Sequence, residues 1–247
     1  MSRYYYHPEI DQSAVLTLSC EESLHLKANR IQPGTEILLS DGLGNMYSGI
    51  FKGFVSKKAQ VEVVKKVKNE VRDYQLWLWQ PLLKNWSRMD WVIEKLVEIG
   101  VTGIGIFYSE RCIPERVSSI KEERWRKIII EASKQSGRIY FPVFKVIINF
   151  NDFLAQCRSN NMDTIIGDFN ASDSIWNYLK NHSCFSSLQI IIGPEGDFSK
   201  DEKEQLQSLP NSQFLKFSKQ ILRSETASLY ASMVSMASLE LKRESCY

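Results

Sequence analysis

The stretch Ile190-Ile-Ile-Gly-Pro-Glu-Gly-Asp-Phe-Ser199 runs from an apolar strand through a tight polar loop to the start of a helix. Further along the chain, Phe217-Ser-Lys-Gln-Ile-Leu-Arg-Ser-Glu-Thr-Ala227 repeats the same order. In open α/β sheets, ligands bind at the carboxyl edge of the strands, which is where such loops lie. Two loops of this kind from neighbouring strands therefore predict one shared pocket.

The first loop has the composition of a ligand-binding turn. Gly193 and Gly196 permit left-handed dihedrals and close approach of the backbone to a ligand, while Pro194 stiffens the turn. Ser199-Lys-Asp-Glu202 predicts a capping box that fixes the start of the next helix. The alternative is a plain strand-to-helix connection, in which Glu195 caps local amides instead of binding a ligand.

The second loop ends in charged residues at a helix start. Arg223 could neutralise an anion there, or it could pair with Glu225. The helix that follows carries small side chains at Ala227, Ala231, Ser235 and Ser238. Such a stripe suits either a tightly packed core or a dimer interface, and spacing alone favours neither.

From Tyr74 onward, strands alternate with helices. Gln75-Leu-Trp-Leu-Trp-Gln80 predicts a strand, and apolar residues at helical spacing then predict a helix with Ser87 as N-cap and Gly100 as its stop. Further strands are predicted at 103–108, 143–148, 164–167, 188–192 and 213–217, with a charged helix at 122–135. This alternation predicts an α/β fold with a mostly parallel sheet.

The first part of the chain reads differently, as short strands separated by turns. Strand-like runs occur at 14–18, 36–39, 47–51 and 59–64, with turn signals at Pro33-Gly34 and Asp41-Gly-Leu-Gly44. We predict a small β-barrel here. The polar stretch Lys65–Asp73 is the expected boundary, which gives domains 1–72 and 73–247.

Composition excludes several classes of protein. The 247 residues are 43% hydrophobic with a formal net charge of +2, which suits a globular protein and not a globally basic nucleic-acid binder. No apolar run is long enough to span a bilayer, and the N-terminus lacks the apolar core of a signal peptide. We therefore expect a cytoplasmic protein.

Cysteines, histidines and lysines add little specific chemistry. The five cysteines are scattered, which predicts free thiols, and His7, His25 and His182 show no metal-ligand spacing, so no metal site is predicted. Lysines cluster at positions 57, 58, 65, 66 and 68. They suit either phosphate contacts or a solvated edge strand.

Together these segments resemble the bacterial 16S ribosomal RNA (uracil N3)-methyltransferases of the α/β-knot (SPOUT) class. The matching segments are Met89-Asp-Trp91, Lys95–Val101, Ser109-Glu-Arg-Cys112, Glu131–Arg138, Ile192-Gly-Pro-Glu-Gly196 and Leu222-Arg-Ser-Glu-Thr-Ala227. The N-terminal part resembles a PUA domain through His25-Leu26, Gln32-Pro-Gly-Thr-Glu-Ile37 and Asp41-Gly42. The resemblance covers nearly the whole chain.

The resemblance implies a trefoil knot in the C-terminal domain, a homodimer, the cofactor S-adenosyl-L-methionine, and 16S ribosomal RNA or the small ribosomal subunit as partner. It implies Arg223 as the catalytic residue, with Glu225 a candidate base. The cofactor-binding candidates are Ile192, Gly193, Glu195, Gly196, Phe217, Ser218, Ile221 and Leu222. The candidates for contacts with substrate RNA are Arg30, Lys84, Arg88, Arg111 and Arg138.

The chain departs from the family pattern at three places. Asp197 stands where the family commonly has Gly, Phe217-Ser218 replaces Leu-Gly, and Lys27-Ala-Asn-Arg30 replaces Val-Leu-Arg. Ser218 puts a side chain where backbone would meet the cofactor. Two alternatives follow: a knot methyltransferase acting on another RNA or base atom, and a catalytically silent RNA-binding factor, which Ser218 and Asp197 favour.

Overall fold

The computed structural model of the chain describes residues 4–11, 15–112, 116–182 and 186–244, with side chains up to residue 241. The chain forms two compact units. The N-terminal unit comprises Met1–Arg72 together with Ile129–Phe141, and the C-terminal unit comprises Asp73–Ile128 together with Pro142–Tyr247. Residues 129–141 thus belong to the N-terminal unit, although in sequence they lie between the two segments of the C-terminal unit.

The N-terminal unit is a curled sheet of five strands in the order β1-β3-β4-β5-β2. Its elements are β1 (Tyr5–Tyr6), β2 (Val15–Thr17), α1 (Cys20–Ala28), β3 (Glu36–Ser40), β4 (Asn45–Val55) and β5 (Lys58–Asn69). Three register shifts along the β4–β5 pair bend these long strands, as bulges do. The concave face closes on a core that includes Leu18, Leu26, Leu39, Phe51 and Val61, all fully buried.

Two features of this unit differ from what the sequence suggested. The helix α1 was not predicted, because its apolar residues follow no clear helical stripe; Ser19 caps it by accepting from the amide of Glu22. The stretch Lys65–Asn69, predicted as part of the domain boundary, forms a strand, because β5 continues through it, paired with β4. Since β2 reaches only Gln60–Glu62, the lysines beyond this point lie on the open edge of the sheet and are exposed.

The C-terminal unit is built on six strands that are all parallel, in the order β11-β9-β10-β6-β7-β8. The strands are β6 (Gln75–Pro81), β7 (Gly103–Phe107), β8 (Val143–Ile147), β9 (Asp163–Gly167), β10 (Ser187–Ile191) and β11 (Ser212–Leu215). The helices are α2 (Trp86–Ile99), α3 (Ser119–Ser136), α4 (Phe150–Asn160), α5 (Ile175–Asn181), α6 (Lys200–Gln207) and α7 (Ser224–Glu244). The end of α3 belongs to the N-terminal unit.

Large and small residues on adjacent strands explain the register of β6 and β7. Trp77 pairs with Gly103 and Trp79 with Gly105. A Cβ atom on either glycine would lie 2.2 Å or less from the facing indole, so only glycine leaves room for both rings. The alternation of tryptophan and glycine in the sequence thus encodes a strand pair.

The helix α2 begins earlier than predicted but ends as predicted. Its N-cap is Asn85, whose side chain accepts from the amides of Ser87 and Arg88, so Ser87 lies inside the helix. Gly100 ends the helix with a φ of 107°, a left-handed value that favours glycine. Asparagine is preferred at the N-cap as strongly as serine is, and Asn85 was not considered as the N-cap in the sequence.

The small-residue stripe of α7 serves the core of this unit. Ala231 and Ser235 are fully buried, and α7 packs along α2. This supports the interpretation as a tightly packed core for these two positions. Among the described residues, no helix is both long and apolar enough to cross a membrane.

The strand order places the predicted loops together. From β6 the chain adds β7 and β8 on one side, whereas β9, β10 and β11 lie on the other, so the order reverses between β6 and β10. Ligands bind near such a switch point, beyond the carboxyl ends of the strands. The predicted α/β fold with a mostly parallel C-terminal sheet is confirmed. The predicted N-terminal β-barrel is a curled half-barrel sheet of five strands. The trefoil knot stays a prediction.

Candidate functional site

A cavity of about 630 Å³ opens at the carboxyl ends of β9, β10 and β11, within the range of small-molecule sites. Three loops and the first turns of α2 and α7 form its walls. The lining residues are Arg88, 167–170, 192–195, Asp197, Phe217, Ser218, 220–224 and Ala227. Seven of the eight predicted cofactor-binding residues lie in this lining, together with Arg223. The eighth, Gly196, lies beside it.

The loop after β10 is held by hydrogen bonds at both ends. The amide of Ile192 donates to the carbonyl of Trp79, and the amide of Asp197 closes a turn by donating to the carbonyl of Pro194, both at 3.0 Å. The predicted capping box is confirmed, with Ser199 and Glu202 bonded reciprocally. The loop therefore has a defined shape before any ligand binds.

In the loop after β11, the ring of Phe217 packs against Gly167, the last residue of β9. A Cβ atom on Gly167 would lie 2.7 Å from the ring of Phe217, so this ring can pack there only against a glycine. The hydroxyl of Ser218 is turned toward its own loop, where it accepts from the amide of Gln220 at 3.2 Å. The side chain of Ser218 is thus engaged locally, and the cavity persists beside it.

The third loop, residues 167–170 after β9, was not singled out in the sequence. Asp168 begins it, and its carboxylate accepts from the amide of Asn170 at 2.8 Å. The signal was present, because a buried strand ends at Gly167-Asp168 in the same manner as the other two. It was missed because the strand order that brings β9 beside β10 cannot be read from the chain order.

A buried glutamine, also missed in the sequence, connects the two predicted loops. Gln80 is fully buried at the end of β6, and its Nε2 donates to the hydroxyl of Ser224 at 3.0 Å. That hydroxyl donates in turn to the carbonyl of Gly193 at 3.1 Å, and the hydroxyl of Ser228 donates to Gln80 Oε1. These bonds fix the start of α7 against the loop after β10.

Charged groups of both signs surround the cavity. The side chain of Arg223 is exposed, and no described residue pairs with its guanidinium. Glu225 is buried, and its Oε2 has no hydrogen-bond partner among the described residues. Its Oε1 lies 3.5 Å from Arg88 Nη1, which is also 3.8 Å from Glu195 Oε1. Arg88, not Arg223, is therefore the cation nearest to Glu225.

The five predicted RNA contacts do not form one group. Arg88 lines the cavity, and Arg111 donates from Nη1 to the carbonyl of Gly196 at 2.6 Å. Lys84 is exposed just before α2. Arg30, exposed with a φ of 54°, and Arg138 both belong to the N-terminal unit. Two of the five are thus part of the cavity and its loops.

Lys203 on α6 joins two of the cavity loops. Its ammonium lies 3.0 Å from Asp168 Oδ2 and 2.8 Å from Asp197 Oδ2. Burial raises the pKa of Asp168, but hydrogen bonds from the Asn170 amide and from Lys203 leave it lowered overall. Burial lowers the pKa of Lys203, but its bonds to Asp197 and Asp168 leave it raised overall. Both groups therefore favour their charged forms.

A second charged cluster lies in the N-terminal unit. Glu22, His25 and Glu131 bring potential metal ligands within 4.8 Å of one another. The ammonium of Lys134, which is fully buried, lies among them, at 2.6 Å from Glu22 Oε1, 3.1 Å from Glu131 Oε1 and 3.1 Å from His25 Nδ1. Lys134 thus holds the place that a metal ion would take.

Of the cysteines, Cys20, Cys112 and Cys157 are free thiols; Cys184 and Cys246 lie outside the described residues.

Comparison with known proteins identifies the family. Residues 70–236 match the model of the RNA methyltransferase domain. The ribosomal RNA small subunit methyltransferase E of Mesomycoplasma hyopneumoniae is 33% identical over 71% of this chain and 76% of its own length. A protein named ribosomal RNA small subunit methyltransferase E 2, from Borreliella burgdorferi, is 32% identical over 70% of each chain.

A solved structure extends the similarity to both units. The ribosomal RNA small subunit methyltransferase E of Neisseria gonorrhoeae, bound to S-adenosyl methionine, superposes with a TM-score of 0.78 at 26% identity, covering 98% of each chain. The matched domain includes all three cavity loops. The chain belongs to the ribosomal RNA small subunit methyltransferase E family and carries its RNA methyltransferase domain.

Proposed function

We propose that this protein is an S-adenosyl-L-methionine-dependent methyltransferase that methylates N3 of a uridine in 16S ribosomal RNA. Family membership supports an RNA methyltransferase acting on the small subunit. The observation that carries the finer proposal is the cavity near the switch point of the parallel sheet, with an Arg223 guanidinium at its wall that pairs with no described residue. A ribosomal substrate would also place the protein in the cytoplasm.

The cavity fits the chemistry of S-adenosyl-L-methionine. Ile192, Phe217 and Leu222 offer apolar surface of the kind that an adenine ring contacts. Asp168, Glu195 and Asp197 place carboxylates around the same space, and these suit a ligand that carries sulfonium and ammonium groups. When bound, this cofactor supplies an electrophilic methyl group.

Arg223 has the properties of a group that stabilises the reacting base. N3 of uracil becomes nucleophilic once its proton leaves, and the resulting negative charge spreads onto the carbonyl oxygens. A preorganised cation near those oxygens lowers the barrier, as charged donors do in other transition states. Because no described carboxylate pairs with the Arg223 guanidinium, its charge is available for this role.

The proposed reaction also needs a group that accepts the proton from N3. Glu225 does not line the cavity, but it contacts Arg88, which does, and its Oε2 is buried without a hydrogen-bond partner among the described residues. A carboxylate can accept a proton through one intervening water molecule. Glu225 is therefore the candidate base in the protein, with water and the RNA itself as the alternatives.

RNA binding and dimer formation complete the proposal. The target uridine must leave its stack to reach a cavity, so structured RNA with an accessible base is the expected substrate. Lys84, Arg111, Arg30 and Arg138 are proposed contacts with the RNA, and residues 1–72 are a proposed PUA-like RNA-binding domain.

For the proposed homodimer, Trp176 on α5 and Met233 on α7 are exposed and offer apolar surface. Sedimentation of Met233→Glu beside the wild type would test whether this surface joins two copies of the chain.

The direct test is methyl transfer with identification of the product. Purified protein is incubated with labelled S-adenosyl-L-methionine and small ribosomal subunits that lack the modification, and the labelled nucleoside is identified by mass spectrometry. We expect 3-methyluridine. Label in another nucleoside would favour a different base atom or RNA. No label, with subunits that an active relative methylates, would favour a silent RNA-binding factor.

A further inference from the structure

The bridge made by Lys203 joins two walls of the cavity from outside. Asp168 begins the loop after β9 and Asp197 lies in the loop after β10, and both line the cavity. Lys203 is not in the lining, yet its ammonium lies within hydrogen-bond distance of both carboxylates. A side chain placed in this way does not line the space for a ligand, but it fixes the loops that do.

The backbone at Asp197 supports a specific role for this carboxylate. Asp197 has a φ of 61°, a left-handed value that costs most L-residues about 1–2 kcal/mol. Its Oδ1 accepts from the amide of Phe198 at 2.8 Å while its Oδ2 accepts from Lys203. The aspartate thus stands at a position suited to glycine, and its side chain makes two bonds that glycine lacks.

The helix that carries Lys203 is itself firmly placed. The capping box of Ser199 and Glu202 fixes the first turn of α6, and Glu202 Oε1 also accepts from the amide of Glu110 at 2.8 Å. The amide of Lys203 donates to the carbonyl of Ser199 in the same turn. The ammonium therefore projects from a fixed base, and its two bonds constrain the loops more than they constrain the helix.

The loop after β9 is tied to the sheet on its other side. The amide of Asp168 donates to the carbonyl of Leu215 on β11 at 3.0 Å, and its Oδ1 accepts from Asn170. With Lys203 bonded to Oδ2, both carboxylate oxygens are engaged. The side chain of Asp168 is only 15% exposed, so its ion pair is partly shielded from solvent.

We propose that Lys203 is a positioning residue that holds the loops after β9 and β10 in the arrangement that binds S-adenosyl-L-methionine. The inference rests on the proposed function, since it takes the cavity as the cofactor site. Asp168 and Asp197 are the two groups through which Lys203 acts. Asp197, at a left-handed backbone position, is one of the two carboxylates that Lys203 joins.

The expected effect on affinity follows from the population of the binding arrangement. A ligand that binds one arrangement has an apparent Kd equal to its intrinsic Kd divided by the fraction of molecules in that arrangement. If loss of the bridge lowers this fraction to about 10–20%, the Kd rises about fivefold to tenfold. Because Lys203 touches no reacting group, turnover at saturating cofactor should stay within about twofold of the wild type.

The experiment measures the Kd of S-adenosyl-L-methionine by calorimetry for the wild type, Lys203→Met, Lys203→Arg and the control Lys200→Met. Lys200 lies on the same helix and is largely exposed, and its one ion pair within the described part of the chain is with Glu204 at 3.9 Å. Hydrogen exchange of cofactor-free protein at 168–170 and 194–198 is measured in parallel. Methyl transfer over a range of cofactor concentrations separates KM from kcat.

We expect Lys203→Met to raise Kd and KM about fivefold to tenfold and to speed exchange in both loops. Lys203→Arg should restore most of the affinity, and Lys200→Met should match the wild type. An unchanged Kd for Lys203→Met, whatever its melting temperature, would overturn the positioning role of Lys203 and leave the proposed function standing. A wild type that binds no S-adenosyl-L-methionine would overturn the proposed function and the positioning role together.

Discussion

The C-terminal cavity and the N-terminal cluster of Glu22, His25, Glu131 and Lys134 both gather charged side chains, but they use them differently. In the cluster, the ammonium of Lys134 is fully buried and meets three acceptors. Around the cavity, the Arg223 guanidinium has no partner among the described residues. One buried carboxylate oxygen in each region, Glu22 Oε2 and Glu225 Oε2, also lacks a hydrogen-bond partner among them, so the contrast lies in the cations. Charges that satisfy one another hold a fold together, whereas unpaired charges beside open space are available to a ligand.

The largest expected effect on activity comes from Arg223→Ala. Removal of a preorganised charge from a transition state costs about 10²–10³-fold in turnover. Arg223 is exposed, so its loss should leave the fold and the Kd of the cofactor nearly unchanged. Methyl transfer and calorimetry on the same preparation measure the two quantities. An earlier thermal melt with retained turnover would instead assign Arg223 a structural role.

The largest expected effect on stability comes from Lys134→Met. This change leaves the buried carboxylate of Glu22 without its cation, and breaking a buried pair in this way costs about 3–5 kcal/mol of the free energy of unfolding. Denaturant unfolding measures the loss.

The double variant Glu22→Gln/Lys134→Met is the matched control, because it removes both charges and should recover part of the loss. At a temperature where Lys134→Met is folded, its cofactor Kd should equal that of the wild type. A raised Kd would contradict the separation of roles between the two regions.

A smaller effect is expected for Arg88→Met. The guanidinium of Arg88 lies 3.5 Å from Glu225 and 3.8 Å from Glu195, so each ion pair is worth up to about 1 kcal/mol. A loss of about 1 kcal/mol corresponds to a factor of about five, so we expect turnover to fall about fivefold. Arg124→Met, which breaks an ion pair with Asp90 on the outer part of α2, should leave turnover unchanged. Equal losses in both variants would contradict a role at the cavity.

The smallest effect concerns pH. The pKa of Asp168 is lowered in the folded protein, so its ion pair adds stability above the unfolded value of about 3.8 and loses it as pH falls through the folded value. The melting temperature of the wild type should therefore exceed that of Lys203→Met at neutral pH, and the difference should shrink below about pH 4. A difference that persists in acid would mean that Lys203 stabilises the fold through its packing alone.

Much of the cavity could be predicted from sequence because the strand-loop-helix pattern is local. The glycines at 193 and 196, the capping box and the position of Arg223 all follow from residues close together in the chain. The partner of Glu225 could not be predicted in this way. Arg88 follows β6, more than 100 residues earlier in the sequence, and only the strand order brings it near.

The same limit explains what was missed elsewhere. The cluster around Lys134 joins α1 to the end of α3, and the bridge at Lys203 joins three segments that are separate in the sequence. In the sequence, Asp197 favoured the interpretation as a silent RNA-binding factor, because its bond with Lys203 on α6 could not be predicted. Side-chain pairing across distant segments is set by the strand order and the packing, which periodicity does not report.

The most direct test of this contrast is hydrogen exchange of the wild type with and without S-adenosyl-L-methionine. Our account predicts slower exchange with cofactor at 167–170, 192–198 and 217–224, the loops that line the cavity. Exchange in α1 and around Lys134 should stay unchanged. Protection confined to α1 and residues 129–141, with none in the three loops, would contradict the assignment of the cavity as the cofactor site.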